Sequence, residues 1–138
     1  MKIEHANLTI TLDGAEYSAQ PATIRSTMLG VEDHGIMSFW LHCEWPGSGV
    51  GVGGFSLDDK PAAGDRFGRR RPHAICGHVI AETLTCVGVS SWEKLTGQRC
   101  HVLFDGPHLI GSHAVGIANA DLTRGLIYEH LIAAFEET

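Results

Sequence analysis

Glycine occupies every second position of one segment, and this spacing constrains the fold more than any other feature of the sequence. Gly47, Gly49, Gly51 and Gly53 lie within the run 47–55. Because side chains alternate between the two faces of a β-strand, a strand here would carry all four glycines on one face. That face has no side chains of its own, so another backbone, an aromatic ring or a flat ligand must pack against it.

The same segment contains the literal pattern of a dinucleotide-binding loop, Gly49-x-Gly51-x-x-Gly54. That pattern binds a pyrophosphate where a helix begins directly after it. Here Pro61 precludes an early helix, and no P-loop lysine accompanies the glycines. We therefore favour a glycine-faced strand packed against a neighbouring element or protomer, with a stacked base or ring as the alternative.

Alternating apolar residues and turn signals predict strands over most of the first half of the chain. Asp13-Gly14 is a tight-turn signal that joins the first two strands in a hairpin. Gln20-Pro21 predicts a break before the next strand. The predicted strands cover residues 3–11, 15–19, 23–29 and 36–45.

The second half predicts two helices around a further hairpin. Apolar residues at helical spacing run from Cys76 to Val87, and Gly88 is a favourable position for the helix end. A short turn over 92–94, a strand over 100–104 and a return strand over 109–117 follow. The last helix is predicted over 121–138, with Asp121 or Thr123 as its cap. Its apolar stripe comprises Tyr128, Leu131, Ile132 and Phe135.

These elements predict an α+β fold, a mostly antiparallel sheet with two α-helices in a single domain over residues 1–138. A length of 138 residues is that of one domain. Residues 1–20 form an additional N-terminal hairpin in this interpretation.

Composition excludes several classes of protein. The net charge of −6 disfavours a duplex-DNA binder, which usually carries a basic stripe. No apolar run is long enough for a membrane-spanning helix, and residues 1–5 lack the apolar core of a signal peptide. The four cysteines contain no C-x-x-C pair, which is typical of free thiols in a reducing cytosol. We therefore expect a cytoplasmic protein.

An arginine cluster is the strongest functional signal. Four of the seven arginines fall within residues 66–71, directly before the first predicted helix. Arginine forks bind phosphate, and a helix N-terminus adds donors and positive potential. Phe67 offers a stacking ring, and His73 ends the loop. Arg124, in the first turn of the last predicted helix, suits a phosphate better than it suits the helix dipole. The equally weighted alternative is a solvated loop whose arginines pair with surface carboxylates.

Other candidate chemistries are weaker. Glu32, Asp33 and His34 are general acid–base groups, although a simple turn that ends in Gly35 explains them better. Cys76 at a helix start is more simply a core thiol than a nucleophile. His42 and Cys43 are adjacent in a predicted strand and point to opposite faces, and Cys76 and His78 diverge on the predicted helix. We therefore expect no metal site. No catalytic triad has a local signature.

Three segments together resemble small phage proteins of the first Thoeris anti-defence family. They are IRSTMLGVEDHGI at 24–36, GSGVGVGGFSLD at 47–58 and VGVSSWEKLTG at 87–97. The resemblance covers roughly residues 23–120. The chain departs from shorter members in its N-terminal hairpin and in a more apolar C-terminal helix.

The resemblance implies a binding protein without catalysis, cofactor or metal. Family members capture cyclic ADP-ribose isomers made by TIR-domain enzymes and hold them intact in the host cytoplasm. Some also bind cyclic di- or trinucleotides of CBASS-type immunity, and sites form between protomers of a dimer or hexamer. Neither duplex nucleic acid nor a membrane is implied as a partner. The residues carried over are Arg69, Arg70, Arg71 and Arg124, with His73 beside them and Phe67, Trp92 or Phe104 as the stacking ring.

Two alternatives stay open. An enzyme on the same ligand class would use Glu32, Asp33 or His34 to cleave the nucleotide. A phage protein-interaction module would instead use the glycine-faced strand as an interface and bind no small molecule.

Overall fold

The computed structural model describes residues 8–105 and 113–136, which form one antiparallel sheet with two helices. The elements are β1 (Leu8–Leu12), β2 (Ala15–Asp33), β3 (Ile36–Trp45), β4 (Ser48–Gly53), β5 (Asp58–Asp59), β6 (Arg71–Pro72), α1 (Ile75–Val87), β7 (Arg99–Asp105), β8 (Ala114–Asn119), β9 (Gly125–Ile127) and α2 (Tyr128–Glu136). Seven strands make up the main sheet in the order β4-β3-β2-β7-β8-β9, with β1 also on β2, and β5 and β6 form a separate ribbon. The predicted α+β class with a mostly antiparallel sheet is confirmed.

Strand β2 continues through Pro21, so the predicted break there is wrong. One edge of β2 pairs with β7, and the other pairs first with β1 up to Ala19 and then with β3 from Thr23. Residues 20–22 therefore have no strand partner on that second edge. A proline is tolerated there because its missing N–H costs the ladder nothing where an edge is unpaired.

Two hairpin turns use residues with positive φ. Asp13 and Gly14 have φ of 52° and 81°, and His34 and Gly35 have φ of 53° and 73°. Positive φ at both central positions is the type I′ requirement, and this turn matches the twist of the flanking strands. The predicted N-terminal hairpin is confirmed for residues 8–19, and residues 1–7 lie outside the described part.

The alternating glycines of β4 face groups of the same chain. A Cβ at Gly51 would lie 2.9 Å from Trp40 Cε3, one at Gly53 would lie 3.0 Å from Phe39 Cε2, and one at Gly49 would lie 3.0 Å from the backbone oxygen of Cys43. Of the alternatives for this face, the structure therefore shows aromatic rings at Gly51 and Gly53 and a neighbouring backbone at Gly49. Gly47 lies outside β4, in the turn after β3, where its φ is 86°. No helix follows Gly54, so the dinucleotide-loop pattern is coincidental.

The main core lies between one face of the sheet and the two helices. Helix α1 contributes Ile75, Val79 and Cys86, and it ends at Gly88 as predicted, with φ of 90°. Tyr128, at the start of α2, is fully buried, and its hydroxyl lies 2.9 Å from Thr83 Oγ1. The two helices are therefore tied to each other as well as to the sheet.

The last helix begins at Tyr128, later than the predicted start at 121. Asn119 Oδ1 accepts the backbone N–H groups of Thr123 and Arg124, at 2.9 Å each, which makes residues 119–124 a turn. Strand β9 then pairs with β8. The predicted return strand at 109–117 is shifted to β8, and residues 106–112 lie outside the described part. No helix among the described residues has the length and apolarity to cross a bilayer.

Candidate anion-binding groove

The arginines lie on a loop whose ends are joined. Strands β5 and β6 pair Asp58 with Pro72 and Asp59 with Arg71. We call residues 58–72 the arginine loop. Because its two ends are paired, the arginine loop is held in place beside α1 and the sheet.

Each of the three consecutive arginines forms an ion pair with a different aspartate. Arg69 pairs with Asp65 at 3.3 Å, and Arg71 pairs with Asp59 at 3.3 Å. Arg70 Nη2 lies 2.7 Å from Asp58 Oδ1. These ion pairs match the alternative given by the sequence, in which the arginines of the loop pair with carboxylates.

The three arginines differ in exposure, which the sequence alone does not show. The side chains of Arg69 and Arg71 are 74% and 52% exposed, whereas Arg70 is 23% exposed. Asp58 and Asp59 are adjacent strand residues, so they point to opposite sides of the ribbon. Arg70 is therefore drawn inward, and of these three arginines Arg69 and Arg71 are the more accessible to a ligand.

Asp58 anchors the inward arginine. Its Oδ1 accepts from Arg70 Nε at 2.8 Å, and its Oδ2 accepts the N–H of Met37 at 3.0 Å. The Arg70 guanidinium is the main reason that the pKa of Asp58 lies below its usual value. The ion pair likewise raises the pKa of Arg70. Sequence reasoning did not identify Asp58, since its partners lie 12 and 21 positions away.

A groove of about 550 Å³ lies beside the arginine loop. It is formed by the turn between β2 and β3, the chain after β4, the loop and the start of α1. Two of the three segments that carry the family resemblance therefore meet the arginines at one place. Its lining includes Val31, His34, Leu57, Asp58, the three arginines and His73.

The N-terminus of α1 opens onto this groove. Its N-cap, Ala74, has no side-chain hydrogen bond, and no acidic residue occupies the first turn. His73 Nδ1 instead accepts the N–H of Ile75 at 3.0 Å. A helix N-terminus with no acidic residue in its first turn carries positive potential and favours anions. Cys76, predicted as a core thiol, packs against the core but is only partly buried and also lines the groove. Burial raises the pKa of its thiol.

Phe67 lies at the tip of the loop, where it is 72% exposed. The guanidinium carbons of Arg66 and Arg69 lie 5.6 and 5.2 Å from its ring centroid. Phe67 borders a neighbouring cavity that shares Arg69 with the groove. An exposed ring flanked by cations is available for stacking, as the sequence predicted for this residue.

The structure places three of the predicted ligand residues elsewhere. Phe104 is 6% exposed and packs edge-on against Trp45 in the core. Trp92 donates from Nε1 to Thr27 Oγ1 at 3.0 Å, which gives it a structural role. Arg124 lies in the turn between β8 and β9, beside a separate cavity. None of the three lines the groove, because their elements pack on other parts of the sheet.

The acidic turn contributes His34 and Gly35 to the lining of the groove. His34 Nδ1 lies in hydrogen-bond contact with Asp33 Oδ1, and both side chains are largely exposed. The predicted turn is confirmed, with φ of 73° at Gly35.

The comparisons with known proteins add no further constraint on the groove. No protein-family model, curated protein or solved structure matches this chain. Within residues 8–105 and 113–136, no group of three or more histidine, cysteine or acidic side chains is placed to hold a metal ion.

Proposed function

We propose that the protein binds a small phosphorylated nucleotide signal in the groove and sequesters it without chemical change. The signal class is the one the resemblance implies, a cyclic ADP-ribose isomer made by a TIR-domain enzyme. One observation carries the proposal: segments 24–36 and 47–58, which carry the resemblance, line the same groove as the arginine cluster. In this proposal a phage-encoded homo-oligomer acts in the host cytoplasm and prevents effector activation.

The charge arrangement supports a ligand with two linked phosphates. Arg69 and Arg71 are the more accessible of the three consecutive arginines, and they stand two positions apart in the chain. Two guanidinium forks can each bind one of two linked phosphates. The N-terminus of α1 adds positive potential on the same groove.

The size of the groove also supports a small-molecule ligand. Its volume of about 550 Å³ lies within the range of small-molecule sites, about 300–1,000 Å³. His73 offers aromatic surface in the groove for a base, and Phe67 offers it in the neighbouring cavity that shares Arg69. Cyclic di- or trinucleotides are larger, and they would need surface beyond this groove.

A nucleotide-cleaving enzyme is the second candidate. The contact between His34 and Asp33 at the groove favours it, because a carboxylate that orients an imidazole is a common acid–base arrangement. Sequestration needs no such base. The two candidates therefore differ in the fate of the ligand rather than in its binding.

The test is calorimetric titration of the purified protein with cyclic ADP-ribose isomers and cyclic oligonucleotides. Bound ligand is then released by heat and its mass is measured. We expect tight binding and release of the unchanged ligand. A changed mass would establish cleavage, and no binding to any probe would refute the proposal in favour of an interaction module.

Alanine variants locate the site. Arg69→Ala and Arg71→Ala should each weaken binding by about ten- to a hundredfold, since each removes a charge-assisted contact. Arg25→Ala is the matched control, because Arg25 is as exposed as Arg69 but does not line the groove and lies 3.9 Å from Glu44. Equal effects of all three substitutions would show that only overall charge matters.

A further inference from the structure

We propose that Asp58 is the positioning residue of this groove: by holding Arg70 inward, it presents Arg69 and Arg71 to the ligand. The inference rests on the proposed function and concerns the same site. Asp58 acts through the arginines. An aspartate that faces an anion site would otherwise only repel the ligand.

The contacts of Asp58 join three parts of the chain. Its carboxylate accepts from Arg70 in the loop, from the N–H of Met37 in β3 and from Ser56 Oγ after β4. The side chain is only 10% exposed. Since Met37 belongs to the central sheet, these bonds tie the arginine loop to the rigid part of the fold.

The neighbouring aspartate lacks this connection. Asp59 is 48% exposed and meets Arg71 through one contact of 3.3 Å. Among the described residues, its carboxylate otherwise accepts only the N–H of Lys60, within the loop. Asp59 is therefore a matched control: it is the same residue type, next in sequence, also paired with an arginine, and not tied to the sheet.

Electrostatic repulsion and loop positioning predict opposite changes in ligand affinity for the same substitution. Asp58→Asn removes a negative charge from the lining of an anion site, so charge alone predicts tighter binding. Loss of the Arg70 pair frees that arginine and loosens the loop, so positioning predicts weaker binding. Asp59→Asn removes an equal charge without releasing the loop, and it should bind as tightly as the wild type or more tightly.

The first measurement needs no nucleotide. Tryptic cleavage after Arg69 and Arg70 reports how firmly the loop is held, and the ¹⁵Nε resonance of Arg70 reports its ion pair. We expect Asp58→Asn to speed cleavage about tenfold and to shift that resonance. Asp59→Asn should leave both near their wild-type values. Unchanged cleavage and an unchanged resonance in Asp58→Asn would overturn the inference.

The second measurement is titration with the cyclic ADP-ribose isomer that binds the wild type. Asp58→Asn should weaken binding about tenfold while Asp59→Asn does not. A wild-type protein that binds no probe refutes the proposed function. A wild-type protein that binds, with Asp58→Asn binding equally well, refutes the role of Asp58 alone.

If Asp58→Asn does not fold, Arg70→Lys tests the same ion pair from its other partner. Arg70→Lys keeps the positive charge but has no Nε–H for Asp58, so it should also weaken binding about tenfold. If Arg70 and Asp58 act as one unit, the double variant Asp58→Asn/Arg70→Lys should bind the ligand no more weakly than whichever single variant has the lower affinity. Full binding by Arg70→Lys, or additive losses in the double variant, would contradict the inference.

Discussion

The buried hydrogen bond between the two helices should respond asymmetrically to loss of either partner. Thr83 Oγ1 donates to the carbonyl of Val79 at 2.8 Å, so Tyr128 must donate its hydroxyl proton to Thr83. Both side chains are fully buried. Thr83→Val leaves the Tyr128 donor without a partner, at a cost of about 1–3 kcal/mol. Tyr128→Phe removes only one bond and should cost about 0.5–1.5 kcal/mol.

Urea denaturation at 25 °C, followed by circular dichroism, measures these free energies of unfolding. The exposed Thr85→Val in the same helix controls for the change in residue type. The double variant Thr83→Val/Tyr128→Phe should be more stable than Thr83→Val alone, because it leaves no orphaned donor. A larger cost for Tyr128→Phe than for Thr83→Val would refute the assigned direction of the bond.

Two further predictions concern stability. Gly54→Ala should destabilise the fold more than Gly64→Ala. Both residues have positive φ, of 80° and 84°, but of the two only Gly54 lies where a Cβ would collide with Trp40. Equal losses of melting temperature in the two variants would indicate that backbone strain alone matters. Raising the pH from 9 to 11 should lower the free energy of unfolding by up to about 2–3 kcal/mol. Burial raises the pKa of Cys86 from 9.0 to about 11, so in this window the unfolded state loses a proton that the native state retains. Cys86→Ala should flatten this decline in pH-dependent urea titrations, and an unchanged slope would contradict the assignment.

Local patterns predicted most of the secondary structure correctly. Strand β3 has the predicted bounds, and α1 begins one residue earlier than predicted and ends at Gly88. Both depend on short-range signals, namely alternation, helical spacing and a C-terminal glycine. The errors at Pro21, at the return strand and at the start of α2 have another origin. Pairing with β7, which is distant in sequence, carries β2 through Pro21. Pairing of β9 with β8 takes residues 125–127 into the sheet, so α2 begins after them.

The candidate site was only partly predictable for the same reason. The arginine cluster and the exposed Phe67 are visible in the sequence as composition and position. Arg70 points inward while Arg69 and Arg71 point outward, because each arginine pairs with a different aspartate that the folded loop brings close to it. Phe104 looked equally suitable for stacking, but its place on the core side of β7 buries it.

The α+β class, the N-terminal hairpin, the glycine-rich strand and the dense group of arginines before a helix can all be read from the sequence. These features follow from interactions between residues close in the chain. The contact of Trp40 with Gly51 and the groove that the Glu32–Gly35 turn shares with the arginine loop appear only in the folded chain. Such contacts depend on which distant segments pair, and loop closure and core packing, rather than local preference, select those pairings.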